Sequence, residues 1–286
     1  MNAPTFDRRT TPARQALAAE YLRGQVTAEA YAVGRPMRIV APYAPLRRDP
    51  RPDIGIDTQA LRGESVTLYD ANEEGWSWVQ LAADHYVGWV PSEALGGPGK
   101  EPTHRVQVLR TFVYPGPSIK QPTDELLSLG SRVHVRDVKG NFAELERGGY
   151  IYAPHLAPIT QHESDFVAVA ERFFNTPYLW GGKTSFGLDC SGLVQVSLQA
   201  AGVFAPRDSD MQERELGQEI IGNDDLSGLQ RGDLIFWKGH VGIMRDATTL
   251  LHANGYHMLV ASEPLREAVD RILAAGEGPI RRIKRL

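Results

Sequence analysis

The sequence predicts an α+β protein, in which two small β-barrels precede a domain of helices packed on an antiparallel sheet. Three observations predict it. Short β-type runs separated by Gly, Pro and Asp fill the early chain, and a diverged copy of the same pattern follows. From His162 the texture changes to amphipathic helices and then to strands.

With 42% apolar and 23% charged residues, the 286-residue chain has the composition of an ordinary soluble protein. It is long enough for two or three domains of about 100–200 residues each. A formal net charge of −4 gives no electrostatic case for nucleic acid or an anionic membrane as partner. No window approaches the roughly 18 apolar residues of a membrane span. The N-terminal segment carries Asp7, Arg8, Arg9 and Arg14 and lacks the apolar core of a secretory signal. A cytoplasmic protein is therefore expected. Cys190, the single cysteine, can form no disulfide within its own chain and suits a reducing compartment.

Residues 1–34 read as a helical extension, on a helix signal around Arg14–Leu22. Residues 35–97 read as the first barrel, with strands at Met37–Ala41, Ser65–Tyr69, Trp78–Leu81 and Tyr86–Val90. GGPGKEP, Gly96–Pro102, reads as a linker. Residues 103–159 then repeat the barrel. Trp78-Val-Gln-Leu and Tyr86-Val align without a gap on Phe142-Ala-Glu-Leu and Tyr150-Ile, and the copies reach Pro91 and Pro154. Upstream, Gly63, Val66 and Asp70 match Gly130, Val133 and Asp137 at a slightly different offset. The alternative is two unrelated β meanders that share aromatic and turn positions.

Residues 160–286 make up the last domain. Asp165–Phe173 has the apolar spacing of a helix, as does Ser191–Ala201, which Gly202 closes. Strands are expected at Asp233–Trp237, His240–Met244 and Thr249–His252.

Cys190 opens the second of these helices, with Asp189 at the N-cap. The helix dipole and the unpaired N–H groups at that end favour a thiolate, and Ser191 and Gly192 are small enough to leave room above the sulfur. The position suits a nucleophile, and a buried structural cysteine is the alternative. A thiol nucleophile needs a base, and the base needs an orienting group. A hairpin turning about Asp246 would set His240 directly opposite His252, as base and orienter. Zinc held by Cys190, His240 and His252 is the competing use of such a cluster, but no HxH, HExxH or CxxC spacing accompanies it. The Gly181-Gly182 and Gly148-Gly149 pairs lack the spacing of phosphate loops. No cofactor is expected.

Pro177-Tyr-Leu-Trp-Gly-Gly, Asp189-Cys-Ser-Gly-Leu-Val-Gln, Arg231-Gly-Asp-Leu-Ile-Phe-Trp and His240-Val-Gly-Ile together resemble the NlpC/P60 cysteine peptidases. The resemblance covers roughly residues 162–255, and the two β units resemble bacterial SH3 domains. It implies a papain-like fold, with Cys190 as nucleophile, His240 as general base and acid, and His252 as orienter. It also sets Tyr178 near the sulfur, with Ser191, Asp189 and Trp180 at the substrate. Core packing is the alternative for Tyr178 and Trp180.

Within the family, the Asp208-Ser209 pair is similar to the subgroup that cleaves after an N-terminal L-Ala-γ-D-Glu dipeptide. That subgroup implies Asp208 as receptor for the free α-amino group, with small hydroxyls such as Ser209 on the substrate carboxylate. A tyrosine of the first SH3-like domain, Tyr86 here, would close the site. The implied partner is a murein peptide such as L-Ala-γ-D-Glu-diamino acid. Asp208 as a plain helix cap and Tyr86 as a barrel aromatic are the competing readings. At the level of the whole protein, the competitors are a secreted wall hydrolase and an amidase or acyltransferase on the same fold.

Overall fold

The computed structural model describes residues 6–123, 125–220 and 226–286, in two compact units that divide between Thr160 and Gln161. Among the described residues, no helix is long and apolar enough to cross a membrane.

The first unit is built from strands. Arg35–Ile39, Ser65–Ala71, Trp76–Leu81, Val87–Pro91 and Leu95–Gly96 form a five-stranded antiparallel sheet over a core that includes Ile39, Leu46, Val66, Leu81 and Val90. A second core follows, around Val106, Val113, Leu127, Leu145 and Ile151. The repeat read in the sequence has structural counterparts. Gly63 and Gly130 both take positive φ, +81° and +88°. Each donates its N–H to an equivalent strand, to Ile39 O at 2.9 Å and to Val106 O at 3.0 Å. Both strand pairs break register one step before the matched aspartates, between Leu68 and Asp70 and between Val135 and Asp137. At Gly63 a Cβ would lie 2.1 Å from the Arg132 carbonyl oxygen, so the close passage of the two cores requires glycine there.

The expected helix around Arg14–Leu22 does not form. Leu17–Ala19 pairs as a parallel strand with Ala30–Ala32, and only Glu20–Leu22 makes a 3₁₀ turn. Ala18 and Ala19 are fully buried, and the Arg14 guanidinium stacks 4.8 Å and 4.7 Å from the Trp78 and Trp89 ring centres. Packing against the barrel outweighs the modest helix preference of alanine over so short a run.

In the second unit α1 spans Phe166–Arg172, α2 Cys190–Ala200, α3 Ser209–Glu215 and α4 Leu265–Ala274. The strands of its main sheet are β1 Gln218–Glu219, β2 Leu234–Trp237, β3 His240–Met244, β4 Thr249–Asn254, β5 Leu259–Pro264 and β6 Arg282–Arg285. They form one antiparallel sheet in the order β1-β6-β2-β3-β4-β5. Leu265, Ala268 and Ile272 of α4 pack with Ile235, Trp237, Met244 and Leu250 of the sheet. Every residue of α2 except Gln199 is buried. That leaves Cys190 at the end of a closely packed element, the kind of support that holds a reacting atom in place.

Candidate active site

Cys190 is the first residue of α2, and Asp189 caps the helix by accepting the Gly192 N–H at 2.7 Å. The Asp189 carboxylate does much more than cap. Its Oδ2 accepts the Gly181 N–H at 2.9 Å, and the Arg207 guanidinium grips both oxygens at 2.9 Å and 2.7 Å. Arg207 also donates to Ser191 Oγ at 2.9 Å and to Gly182 O at 3.2 Å. Gln212 adds a bond from its side-chain amide to Ser191 O at 2.9 Å. Asp189 and Ser191, expected to touch substrate, are buried and engaged in holding the start of α2.

Gly192 is not small to make room for a substrate either. A Cβ there would lie 2.2 Å from Gly182 O, so its size admits the backbone of the turn that ends at Gly182.

The sulfur receives backbone N–H groups from Val241 and Ser191, which sets it beside the start of β3. A thiolate-favouring position was expected from the helix dipole. Burial instead dominates, and with the Asp189 charge it pushes the thiol up to about 12 against the pull of those N–H groups and of Arg207. Tyr178 is half-buried, its hydroxyl pushed upward first by burial and then by the charges of Cys190 and Asp189. Trp180 is 67% exposed, which removes core packing as its role.

His240 is the first residue of β3, set by the short Lys238-Gly239 turn in which Gly239 takes a φ of +74°. Its Nε2 lies 2.8 Å from His252 Nδ1, so the two histidines meet as the sequence suggested. The register differs from the expected one. Ile243 pairs with Leu251 and Met244 with Leu250, which brings Gly242 opposite His252 and makes the histidine contact diagonal. A shift of two residues keeps both side chains on one face, because side chains alternate with period two. At Gly242 a Cβ would come within 2.6 Å of the Leu250 side chain, so this crossing also needs glycine.

His252 is 1% exposed, and its Nε2 lies 2.7 Å from Glu263 Oε1 on β5. Arg271 of α4 binds both oxygens of Glu263, at 2.5 Å and 2.6 Å. Burial raises the Glu263 carboxyl, but His252 and Arg271 outweigh it and hold the group at about 2, ionised. Burial also pushes His240 down to about 3, helped by His252 and Arg271. His252 is lowered mainly by burial, against the pull of Glu263. At neutral pH both imidazoles are neutral.

The donor set does not suit a cation. His252, His257 and Glu263 offer ligand atoms within 4.8 Å of one another, but Arg271 covers both Glu263 oxygens. For zinc on Cys190, His240 and His252, both His252 nitrogens are already engaged by His240 and Glu263.

Asp208 occupies the N-cap position of α3 but makes no side-chain cap hydrogen bond there, so the helix-cap reading fails. Asp208 and Ser209 are half-buried, one and two residues beyond Arg207. Tyr86, the expected closing tyrosine, is 5% exposed within the core of the first barrel. His85 takes a φ of +63°, and the Tyr86 N–H bonds to Asp84 Oδ1 at 3.1 Å; this turn directs the ring inward. Arg207, Glu263 and Arg271 were not singled out from the sequence. The Arg207-Asp208-Ser209 run offered a signal for the first, whereas the other two had none.

Residues 175–272 match the NlpC/P60 family, and residues 46–95 match a bacterial dipeptidyl-peptidase SH3 domain. The chain carries an NlpC/P60 domain. Among curated relatives, a γ-D-glutamyl-L-lysine dipeptidyl-peptidase of Bacillus cereus is 28% identical over 64% of this chain. A dipeptidyl-peptidase 6 of Lysinibacillus sphaericus is 29% identical over 62%. The matched regions span 60% and 63% of the lengths of those two relatives. A crystal structure of an NlpC/P60 family protein from Bacillus cereus shares the fold, with a TM-score of 0.71 at 22% identity over 88% of this chain and 99% of that one.

Proposed function

We propose that this NlpC/P60 protein is a cysteine peptidase that hydrolyses the γ-D-glutamyl–diamino acid bond of free murein peptides with an unblocked N-terminal L-Ala. The observation that carries the chemistry is the continuous chain of contacts from His240 through His252 to Glu263, with Val241, the residue after His240, turning its N–H to the Cys190 sulfur at a helix start. Since burial keeps both partners neutral at rest, His240 takes the thiol proton as Sγ attacks the amide carbonyl. The same proton is then delivered to the leaving amine. The Cys190 N–H, at the first turn of α2, would hold the oxyanion. Hydrolysis of the thioester releases the dipeptide and restores the thiol.

For the substrate, the support is the Asp208-Ser209 pair together with the names of the relatives. Asp208 would receive the ammonium of L-Ala, which favours peptides already freed from the wall and a recycling role inside the cell. Mass spectrometry of products from L-Ala-γ-D-Glu-meso-diaminopimelate tests the bond directly. Acetylating the L-Ala should lower kcat/KM by roughly 100-fold or more, the scale of an unpaired buried charge. Asp208→Ala should narrow the gap between free and acetylated peptide. If acetylated peptide or whole sacculi are cut as fast as free tripeptide, the protein is instead a wall hydrolase whose SH3-like domains bind wall.

His252 bridges a donor and an acceptor, and an amide side chain offers the same pair of functions. His252→Asn and His252→Gln should therefore keep measurable turnover, whereas His252→Leu should not. Complete loss in all three, with unchanged melting temperatures, would give His252 a direct chemical role.

A further inference from the structure

We propose that Glu263, braced by Arg271, is a positioning residue that sets the tautomer of His252 and through it that of His240. Each step crosses to the next strand of the sheet, from β3 to β4 to β5, and then to α4. An ionised carboxylate only accepts hydrogen bonds, so His252 Nε2 must carry the proton shared with Glu263 at 2.7 Å. Neutral His252 then has an unprotonated Nδ1. That nitrogen can only accept at the 2.8 Å contact, so the proton there belongs to His240 Nε2. His240 is left with Nδ1 as its one lone-pair nitrogen, and only that atom can serve as base.

Without Glu263 the pair has a second arrangement, in which His252 Nδ1–H donates to His240 Nε2 and the proton of His240 sits on Nδ1. A base in that form has no lone pair on Nδ1 to take the thiol proton. The two arrangements contain the same number of bonds between the histidines, so nothing within the pair selects one of them. The carboxylate does, and Arg271 keeps it ionised and aimed by gripping both oxygens. The Arg271 guanidinium is itself covered by the Tyr256 ring, 4.3 Å from its centre. Glu263 lies 11 residues beyond His252, on the neighbouring strand.

The consequence for rate rests on His240 being the base, as proposed above, but the tautomers are measurable without substrate. In protein labelled with ¹⁵N-histidine at neutral pH, long-range ¹H–¹⁵N spectra assigned with His240→Asn and His252→Asn should show His240 and His252 protonated only at Nε2. In Glu263→Gln, His240 should become a mixture of both tautomers. Its kcat should fall roughly 10- to 100-fold with little change in KM, the scale of losing a group that orients a reacting residue. Should Glu263→Gln fold poorly, Glu263→Gln/Arg271→Met removes both charges together and is read in the same way. A single Nε2–H tautomer at His240 in these variants, or an unchanged kcat, overturns the proposal. Mixed tautomers in a wild-type protein that never cleaves the peptide would overturn it too, whereas pure Nε2–H tautomers in an inactive protein would sink only the peptidase reading.

Discussion

Cys190→Ala is expected to abolish peptide hydrolysis while leaving the melting temperature of the protein almost unchanged. Losing a nucleophile costs several orders of magnitude in rate, because the remaining groups only bind and polarise the substrate. The fold should tolerate the change. Cys190 is 7% exposed at the first position of α2, and the alanine side chain lacks only the sulfur. The capping by Asp189 and the grip of Arg207 do not involve the sulfur. His240→Ala should lose nearly as much activity, since no other group would then take the thiol proton. One tenth of wild-type activity remaining in Cys190→Ala would rule out thiol chemistry. Inactivation by a chelator, reversed by zinc, would do the same in favour of a metal.

Arg207→Met is expected to destabilise the second unit by about 3–5 kcal/mol, the range for removing one partner of a buried ion pair. Arg207 is 1% exposed and holds Asp189, Ser191 and Gly182 at once. Methionine can fill much of the volume, but it leaves the Asp189 carboxylate buried without its countercharge. Thermal unfolding should drop on the order of 10–15 °C. Arg207→Lys should rescue little, because an ammonium cannot span both carboxylate oxygens and Gly182 O together. Activity should fall in parallel, since the same contacts hold the helix start that carries Cys190. A melting temperature within about 2 °C of wild type would show that the Asp189 network is not what holds α2 in place.

The parts of this site that could be read from the sequence obey short-range rules. Asp189 as N-cap and Cys190 as first helical residue follow from a polar residue set before an apolar helical run. The histidine pair follows from alternation along two adjacent strands. It survived a register error of two residues because the error preserved the face. The repeat in the first unit was legible through Gly63 and Gly130, whose positive φ values only glycine adopts without strain. The misreadings share one cause, a neighbour distant in the sequence. Gly192 is filled by Gly182, and Ala18 and Ala19 pair with a strand more than ten residues on.

The sequence by itself determined two helices and three strands of the second unit, the identity of the candidate nucleophile and the pairing of the two histidines. Periodicity and capping are properties of a few consecutive residues, and they were enough for these. Only the tertiary structure decided the protonation of the site and what braces it. Burial is set by everything packed around a group, and at Cys190 it outweighed the pull of the backbone N–H groups and of Arg207. Arg207 reaches Asp189 from the segment before α3, and Glu263 and Arg271 reach His252 from β5 and α4. No spacing rule within one element joins such residues, because the sheet register and the docking of the helices bring them together.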